Sequence, residues 1–351
     1  MIYLNKLKYM EISSKRLKSI DTVKGIMIWG IVIYHMSENL KMAFPFLSPI
    51  YTYGGDLGNT IFFMLSGFMM EYTYSAKVIK GNVTLYTFIY KRISKWYLIY
   101  FFSSILSIIF IVDDFGLQVL NVKQVVLNLT LTTSGWIEDI YPYNLPCWFL
   151  SCLIIQYILW YLSTKLFKLH AWYIFLFLVL GGAIIEKMIL NLPFLYYHTG
   201  EGMVSFFIGC LLYKIQNKVS KGNLYKIEWI LGSMTFCFLF LTFKIGFQAA
   251  SGNIKYTWYF LIAPLIILYT FNIALIKRIM ENNTIYTLFG KLSTTIFFWH
   301  YPFMRLFNYI FLQYQIEFNA NVQFIMYIIM LYIFCLFYYI LEIKIKNCFI
   351  K

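Results

Sequence analysis

The chain alternates long apolar runs with short polar segments. The runs lie near 20–37, 57–75, 96–112, 147–164, 171–190, 202–216, 227–243, 257–275, 293–313 and 322–343. About 20 apolar residues in a helix cross a bilayer. In hydrocarbon only a structure that satisfies its own backbone hydrogen bonds survives. The pattern therefore predicts an all-α, polytopic integral membrane bundle of about ten transmembrane helices. The longest connection, roughly 113–146, reads as a loop with one interfacial helix. Residues 1–351 are accordingly expected to form a single transmembrane domain with no appended soluble domain.

Composition and charge sharpen this picture. Hydrophobic residues make up 61% of the chain and charged ones 13%, too few for the surface of a soluble domain of this length. The net charge of +14 is no nucleic-acid signal, because the basic residues cluster between the apolar runs. With the N-terminus inside, Lys6, Lys8, Lys15, Arg16, Lys18, Lys77, Lys80, Lys91, Arg92, Lys95, Lys214, Lys218, Lys277, Arg278 and Lys344 all fall on one side. Lys41, Lys123, Lys187, Lys244, Lys255 and Arg305 fall on the other or in outer halves. That asymmetry obeys the positive-inside rule and predicts that both termini are cytoplasmic. No small-residue cleavage site follows the first run, so it is expected to stay as a span. The cysteines are scattered without CxxC or metal-type spacing and read as packing residues, so no metal is expected.

The candidate chemistry lies where ionisable residues enter apolar runs. Such residues are costly in a membrane and mark function by default. The first run carries Asp21, Lys24 and His35. Lys24 and His35 are separated by a helical offset of roughly 20° and roughly 16 Å along the axis, so they share a face. Asp21 lies one turn before Lys24 and can pair with it. The stripe places a cation near one membrane surface and an imidazole deep in the helix. The alternative is a Lys24 that snorkels to the interface and a His35 satisfied in the core. The second run holds Ser66 and Gly67 within Phe62–Phe68, small residues suited to close helix packing. The inner loop Tyr90–Trp96 brings Arg92 and Lys95 to the start of a helix. They suit phosphate, and plain topology charge accounts for them equally well. The ninth run carries His300, with Pro302 expected to kink the helix after it. Outside, Asp113, Asp114, Glu138 and Asp139 lie among Trp136, Tyr141 and Tyr143, and the segment 191–201 ends in His198 and Glu201. Carboxylates beside aromatics suit sugars, but aromatic residues are enriched at every membrane interface.

Together these residues resemble the membrane acyltransferase-3 family of bacterial O-acyltransferases over nearly the whole chain. The family's Leu-Asp-x-x-Arg-Gly and Arg-x10-His pattern corresponds to Ile20–Gly25 and His35, with Lys24 in place of Arg. Its Phe-Phe-x-x-Ser-Gly-Phe is Phe62–Phe68, its Arg-x-x-Arg is Arg92 and Lys95, and its Trp-His-x-Pro is Trp299, His300 and Pro302. The fourth-span Trp-Ser-Leu-x-x-Glu of many members is here Trp148–Leu153, without the glutamate, as in the branch that modifies capsule or exopolysaccharide. The resemblance implies transfer of an acyl group, acetyl by preference, from cytoplasmic acetyl-CoA to a hydroxyl of a cell-surface polysaccharide or lipid-linked sugar. It implies a bacterial cytoplasmic membrane setting among membrane lipid. Asp21, His35 and His300 would be the catalytic set, with His35 as general base, and Lys24, Arg92 and Lys95 would hold the donor. A transient acyl-histidine is a second mechanism. The rival class is a transporter or flippase of a lipid-linked sugar or small anion. Its usual mark, an internal repeat, is not evident. A glycan polymerase would favour a longer outer loop rich in arginine.

Overall fold

The computed structural model describes residues 18–218, 254–272 and 284–350, with short pieces at 229–230, 232–234, 236 and 278–280. Every regular element among the described residues is a helix. The helices are α1 (Lys18–Tyr34), α2 (Ser48–Ile79), α3 (Leu85–Ile93), α4 (Tyr97–Phe115), α5 (Val122–Thr130) and α6 (Trp148–Phe167). There follow α7 (Ala171–Met188), α8 (Tyr197–Lys218), α9 (Ala263–Asn272), α10 (Thr284–Gln313) and α11 (Ala320–Ile350). A turn of α-helix at Ile254–Thr257 and a π-helical turn at Trp258–Ile262 lead into α9. The expected span at 227–243 lies mostly outside the described residues.

Among the described residues, three stretches are long and apolar enough to cross a membrane by length and composition: Tyr97–Phe115, Leu145–Met188 and Ala320–Lys344. The second holds α6 and α7, joined by the tight turn Lys168–His170. α1 runs from the first described residue, Lys18, to Tyr34. α2 and α10 are much longer than their apolar runs, at 32 and 30 residues. The loop expected at 113–146 contains one short α-helix, α5, preceded by a 3-10 turn at Leu117–Leu120. The side chain of Asn121 caps it by accepting from the Gln124 N–H. α3 starts in a reciprocal capping box between Thr84 and Thr87.

The core is built on α1, α2, α8 and α10. α1 lies between α2 and α10, and α8 lies between α2 and α7. Backbones approach closely because small residues face each other at the crossings. A Cβ on Gly25 would meet the Gly290 backbone nitrogen of α10 at 2.7 Å. One on Gly67 would collide with the Phe206 carbonyl of α8, and one on Gly209 with the Met64 carbonyl of α2. The packing role read from Ser66-Gly67 is therefore filled by Gly67. Ser66 turns its hydroxyl back to the Phe62 carbonyl at 2.8 Å.

A buried ion pair locks the same crossing lower down. Lys214 of α8 meets Glu71 of α2 at 2.9 Å, and Trp160 of α6 donates its indole N–H to the other Glu71 oxygen at 2.8 Å. A buried pair of this kind is costly to break, because removing one partner strands the other charge away from water.

Candidate functional site

α1 ends at Tyr34, and His35 is the residue that follows, its backbone N–H still bonded to the Ile31 carbonyl at 3.1 Å. The expectation of an imidazole within a continuous first helix is corrected here. The chain turns at Met36 and restarts as a short helix, Glu38–Lys41, capped by no side chain. His35 nevertheless lies below the rim of the bundle. It meets α10 at His300, and α10 continues about 20 Å beyond that point at helical rise. Leu40 and Ala43, just beyond the turn at Met36, are fully buried.

The two histidines that the sequence placed on separate spans are hydrogen-bonded partners: His300 Nε2 and His35 Nδ1 are 3.2 Å apart. Their surroundings fix the tautomers. His300 Nδ1 faces the carbonyls of Ile296 and Phe297, at 3.1 and 2.8 Å. Both only accept, so His300 carries its proton on Nδ1, and its Nε2 is an acceptor. His35 Nδ1 faces that Nε2 and the Ile31 carbonyl at 3.0 Å. It too must carry the proton. The lone pair of His35 is thereby assigned to Nε2, which makes no hydrogen bond among the described residues. His300 is fully buried, whereas His35 is partly open. The result is one imidazole held in a single tautomer by another, with a free basic nitrogen.

Pro302 shapes this corner. α10 runs unbroken through it, but a proline has no N–H for the carbonyl four residues back. That carbonyl belongs to Phe298, and Asn144 supplies the missing donor from the loop before α6, Nδ2 to oxygen 2.8 Å. The same amide also donates to Ser103 of α4 at 3.0 Å. The carbonyl of His300 accepts from the Tyr327 hydroxyl of α11 at 2.9 Å. Neither Asn144 nor Tyr327 was singled out in the sequence. The proline at 302 was the available signal for Asn144, since it announces an orphan carbonyl.

The basic candidates lie apart from the histidines. Arg92, at the end of α3, packs its guanidinium over the Tyr74 ring at 4.7 Å and near the Tyr157 ring at 5.9 Å. Its Nη2 contacts the Met70 sulfur at 3.3 Å, and its buried Nε has no hydrogen-bond partner among the described residues. This cation is cradled by aromatic faces. Lys95 is exposed. Asp21 and Lys24 are half-buried on α1, roughly 21 Å and 16 Å from His35 by helical rise. The neighbouring Thr22 bonds to the Met280 carbonyl at 3.1 Å.

The carboxylates expected on the outer side sort themselves. Asp114 pairs with Arg305 at 2.7 Å, Glu138 pairs with Lys123 at 2.6 Å, and Asp139 accepts the Gly135 N–H at 3.3 Å. Glu201 instead enters the bundle, where it joins Asp56, Glu186, Lys255 and His198. Lys255 stands 3.8 Å from both Asp56 and Glu201 and bonds to the Tyr197 hydroxyl. Of these, only His198 and Glu201 stood out in the sequence, as part of an outer segment. An apolar groove of about 800 Å³ opens beside α1, lined by Ile26, Trp29, Ile33, Pro49, Leu57 and Trp258.

A family model described as an acyltransferase domain, of the acyltransferase-3 type, matches residues 17–340. That match takes in every helix from α1 to most of α11. No curated protein matches the chain, and no solved structure matches it.

Proposed function

The chain belongs to the acyltransferase-3 family, and on that premise we propose that it is a membrane O-acetyltransferase acting on sugar hydroxyls. The donor is cytoplasmic acetyl-CoA. The acceptor is a cell-surface polysaccharide or a lipid-linked saccharide. The observation that carries this reading is the His35–His300 pair, with its one free nitrogen on His35 Nε2.

His35 Nε2 takes the proton of the acceptor hydroxyl as its oxygen attacks the thioester carbonyl carbon. The oxygen–carbon bond forms, the tetrahedral adduct collapses, and the carbon–sulfur bond breaks. The departing thiolate recovers the proton from the imidazolium, leaving an ester and a free thiol. His300 orients His35 and accepts from its Nδ1–H throughout, so the ring is held for catalysis without a carboxylate partner. Asp21 keeps its place as a half-buried neighbour of Lys24, not as a group that touches the histidines.

Arg92 supports the donor assignment. A guanidinium held between aromatic faces, with a buried and unpartnered Nε, suits an anion that arrives from outside the protein. Phosphate at Arg92, Lys95 and Lys24 would keep the charged end of the donor at the cytoplasmic mouth. Its thioester would then enter between α2, α6 and α10. The groove beside α1 offers room for hydrocarbon near Ile33, which favours an acceptor carried on a lipid.

The test is mass spectrometry of surface glycans from cells with the wild-type chain, with the His35→Gln variant and with the gene deleted. Acetyl-sized mass present only with the wild-type chain supports the reading. Identical glycans in all three, with altered export of a lipid-linked sugar on deletion, would point to the transporter class.

A further inference from the structure

On the reading above, we propose that Asp56, Glu186, Glu201 and Lys255, with the stacked Trp148–His198 pair, form the acceptor subsite, built for a neutral polyhydroxylated ring. The cluster gathers side chains from four separate elements. Asp56 comes from α2, Glu186 from α7, Glu201 and His198 from α8, and Lys255 from the turn before α9. Three carboxylates face one ammonium and one imidazole, an excess of hydrogen-bond acceptors in a place where burial makes unmet acceptors costly.

Several observations point to a missing donor. Glu186 is 6% exposed; one oxygen accepts from the Tyr259 hydroxyl at 3.0 Å, and the other, Oε2, is buried with no hydrogen-bond partner among the described residues. Glu186 shares the electrostatic field of Glu201 and Lys255, so it belongs to the same group. Lys255 pairs with both Asp56 and Glu201 at 3.8 Å, and His198 Nδ1 lies 3.6 Å from Glu201, so these contacts to the two carboxylates are charge pairs longer than an ordinary hydrogen bond. Sugar hydroxyls are donors of the right number and reach. No three ligating side chains converge as a metal would need among the described residues. Lys255 already supplies the central positive charge, so a second cation is not what the site calls for.

The position fits the chemistry. Tyr34 stands between the cluster and the base. Its ring meets the His35 ring edge-on, with centroids 5.0 Å apart, and packs against Gly55, next to Asp56. On the other side, Trp148 stacks on His198 with ring centroids 4.1 Å apart and 25° between planes. From there Phe149 and Phe297 continue the aromatic wall to His300, at 5.9 and 6.2 Å between successive centroids. The Asp56 side of the cluster is thus one ring away from the general base, through Tyr34, while the stacked pair joins the histidines along the Phe149–Phe297 wall, an arrangement suited to holding a sugar with a hydroxyl on His35 Nε2.

The experiment uses the full chain purified into lipid nanodiscs. The probe is surface polysaccharide from the source cells, stripped of its O-acyl groups by mild base. Binding is titrated without donor, and transfer from acetyl-CoA is measured separately. Glu201→Gln and Glu186→Gln should weaken polysaccharide binding and raise its KM by roughly tenfold to a hundredfold, the scale of hydrogen bonds to a charged group. The KM for acetyl-CoA should not move. Asp56→Asn, at a half-buried position, gives the same readout if the buried variants do not fold. Unchanged polysaccharide binding and KM in a folded variant overturns the subsite while leaving the acetyltransferase reading intact. Polysaccharide binding that these variants abolish, in a protein that transfers no acetyl group, upholds the subsite and overturns the acetyltransferase reading.

Discussion

Asn144 donates to the carbonyl of Phe298, the one carbonyl that Pro302 deprives of its helical N–H. A loop residue thus repairs the backbone of α10 two residues before the buried histidine. Asn144→Ala should therefore destabilise the bundle by about 1–3 kcal/mol, the cost of orphaning a buried polar group. The control is Pro302→Ala, which restores an N–H at 302 and gives Phe298 its own partner. In that background Asn144→Ala should cost less. Thermal unfolding of the four proteins of this cycle in detergent measures the coupling, and additive losses would show that the amide does not serve the carbonyl.

The α2–α8 crossing makes a second prediction. Gly67→Ala places a methyl group against the Phe206 carbonyl. The backbone cannot give way as a side chain would, so the helices must separate, at a cost of about 1–3 kcal/mol. Gly181→Ala on α7 is the control, because nothing lies within 4 Å of the added atom. It should be neutral or slightly stabilising by helix propensity. Equal unfolding midpoints for the two variants would remove the close approach as a structural constraint.

Much of the architecture was legible in the sequence, for a plain reason. Apolar runs of spanning length must become helices in a bilayer; the run at 322–343 sits inside α11, and those at 96–112 and 147–164 match α4 and α6 to within one residue at their starts. The helix ends were less legible: α2 begins at Ser48, well before its apolar run, because the tripeptide turn Pro45–Leu47 starts it. His35 and His300 were each visible as imidazoles in apolar surroundings. That they touch was not, because a contact across 265 positions leaves no local periodicity. The cluster around Lys255 was hidden for the same reason. Its members are scattered over four elements, each ordinary alone as an interfacial residue.

Arg92 and Lys95 give a third prediction. Arg92→Ala with Lys95→Ala should weaken acyl-CoA binding to the purified protein, and more strongly at low salt, since the exposed Lys95 is screened as ionic strength rises. Arg92→Lys alone should also weaken it, because an ammonium keeps the charge but loses the planar fork. Donor affinity equal to wild type in the double variant would return both residues to topology alone.

The orientation in the membrane gives a fourth. If the basic loops are cytoplasmic, a cysteine at Tyr141 should be labelled by an impermeant reagent in intact cells, and one at Asn82 should not. Tyr141 is 83% exposed, so burial does not shield it. Labelling of Asn82→Cys from outside would invert the topology.

The last prediction concerns the histidine pair. His35→Gln keeps a polar side chain at the end of α1 but cannot take a proton, so acyl transfer should fall by roughly 10²-fold or more. The protein should remain folded, since His35 is partly open and its loss leaves no large cavity. Donor binding should survive, because the basic residues lie well away from His35. His300 touches no reacting atom in this scheme; it positions His35 by accepting its Nδ1–H. His300→Ala removes that acceptor and frees His35 to turn, so transfer should fall too, but by less than in His35→Gln. His300→Gln should recover part of the loss, because its amide oxygen can again accept from His35 Nδ1. A structural role alone would give no such recovery in kcat while stability stayed that of the alanine variant. The decisive measurement is kcat for transfer by the three variants in nanodiscs, beside their unfolding midpoints. Near-normal transfer by His35→Gln would remove His35 as the base and make His300 the first candidate in its place.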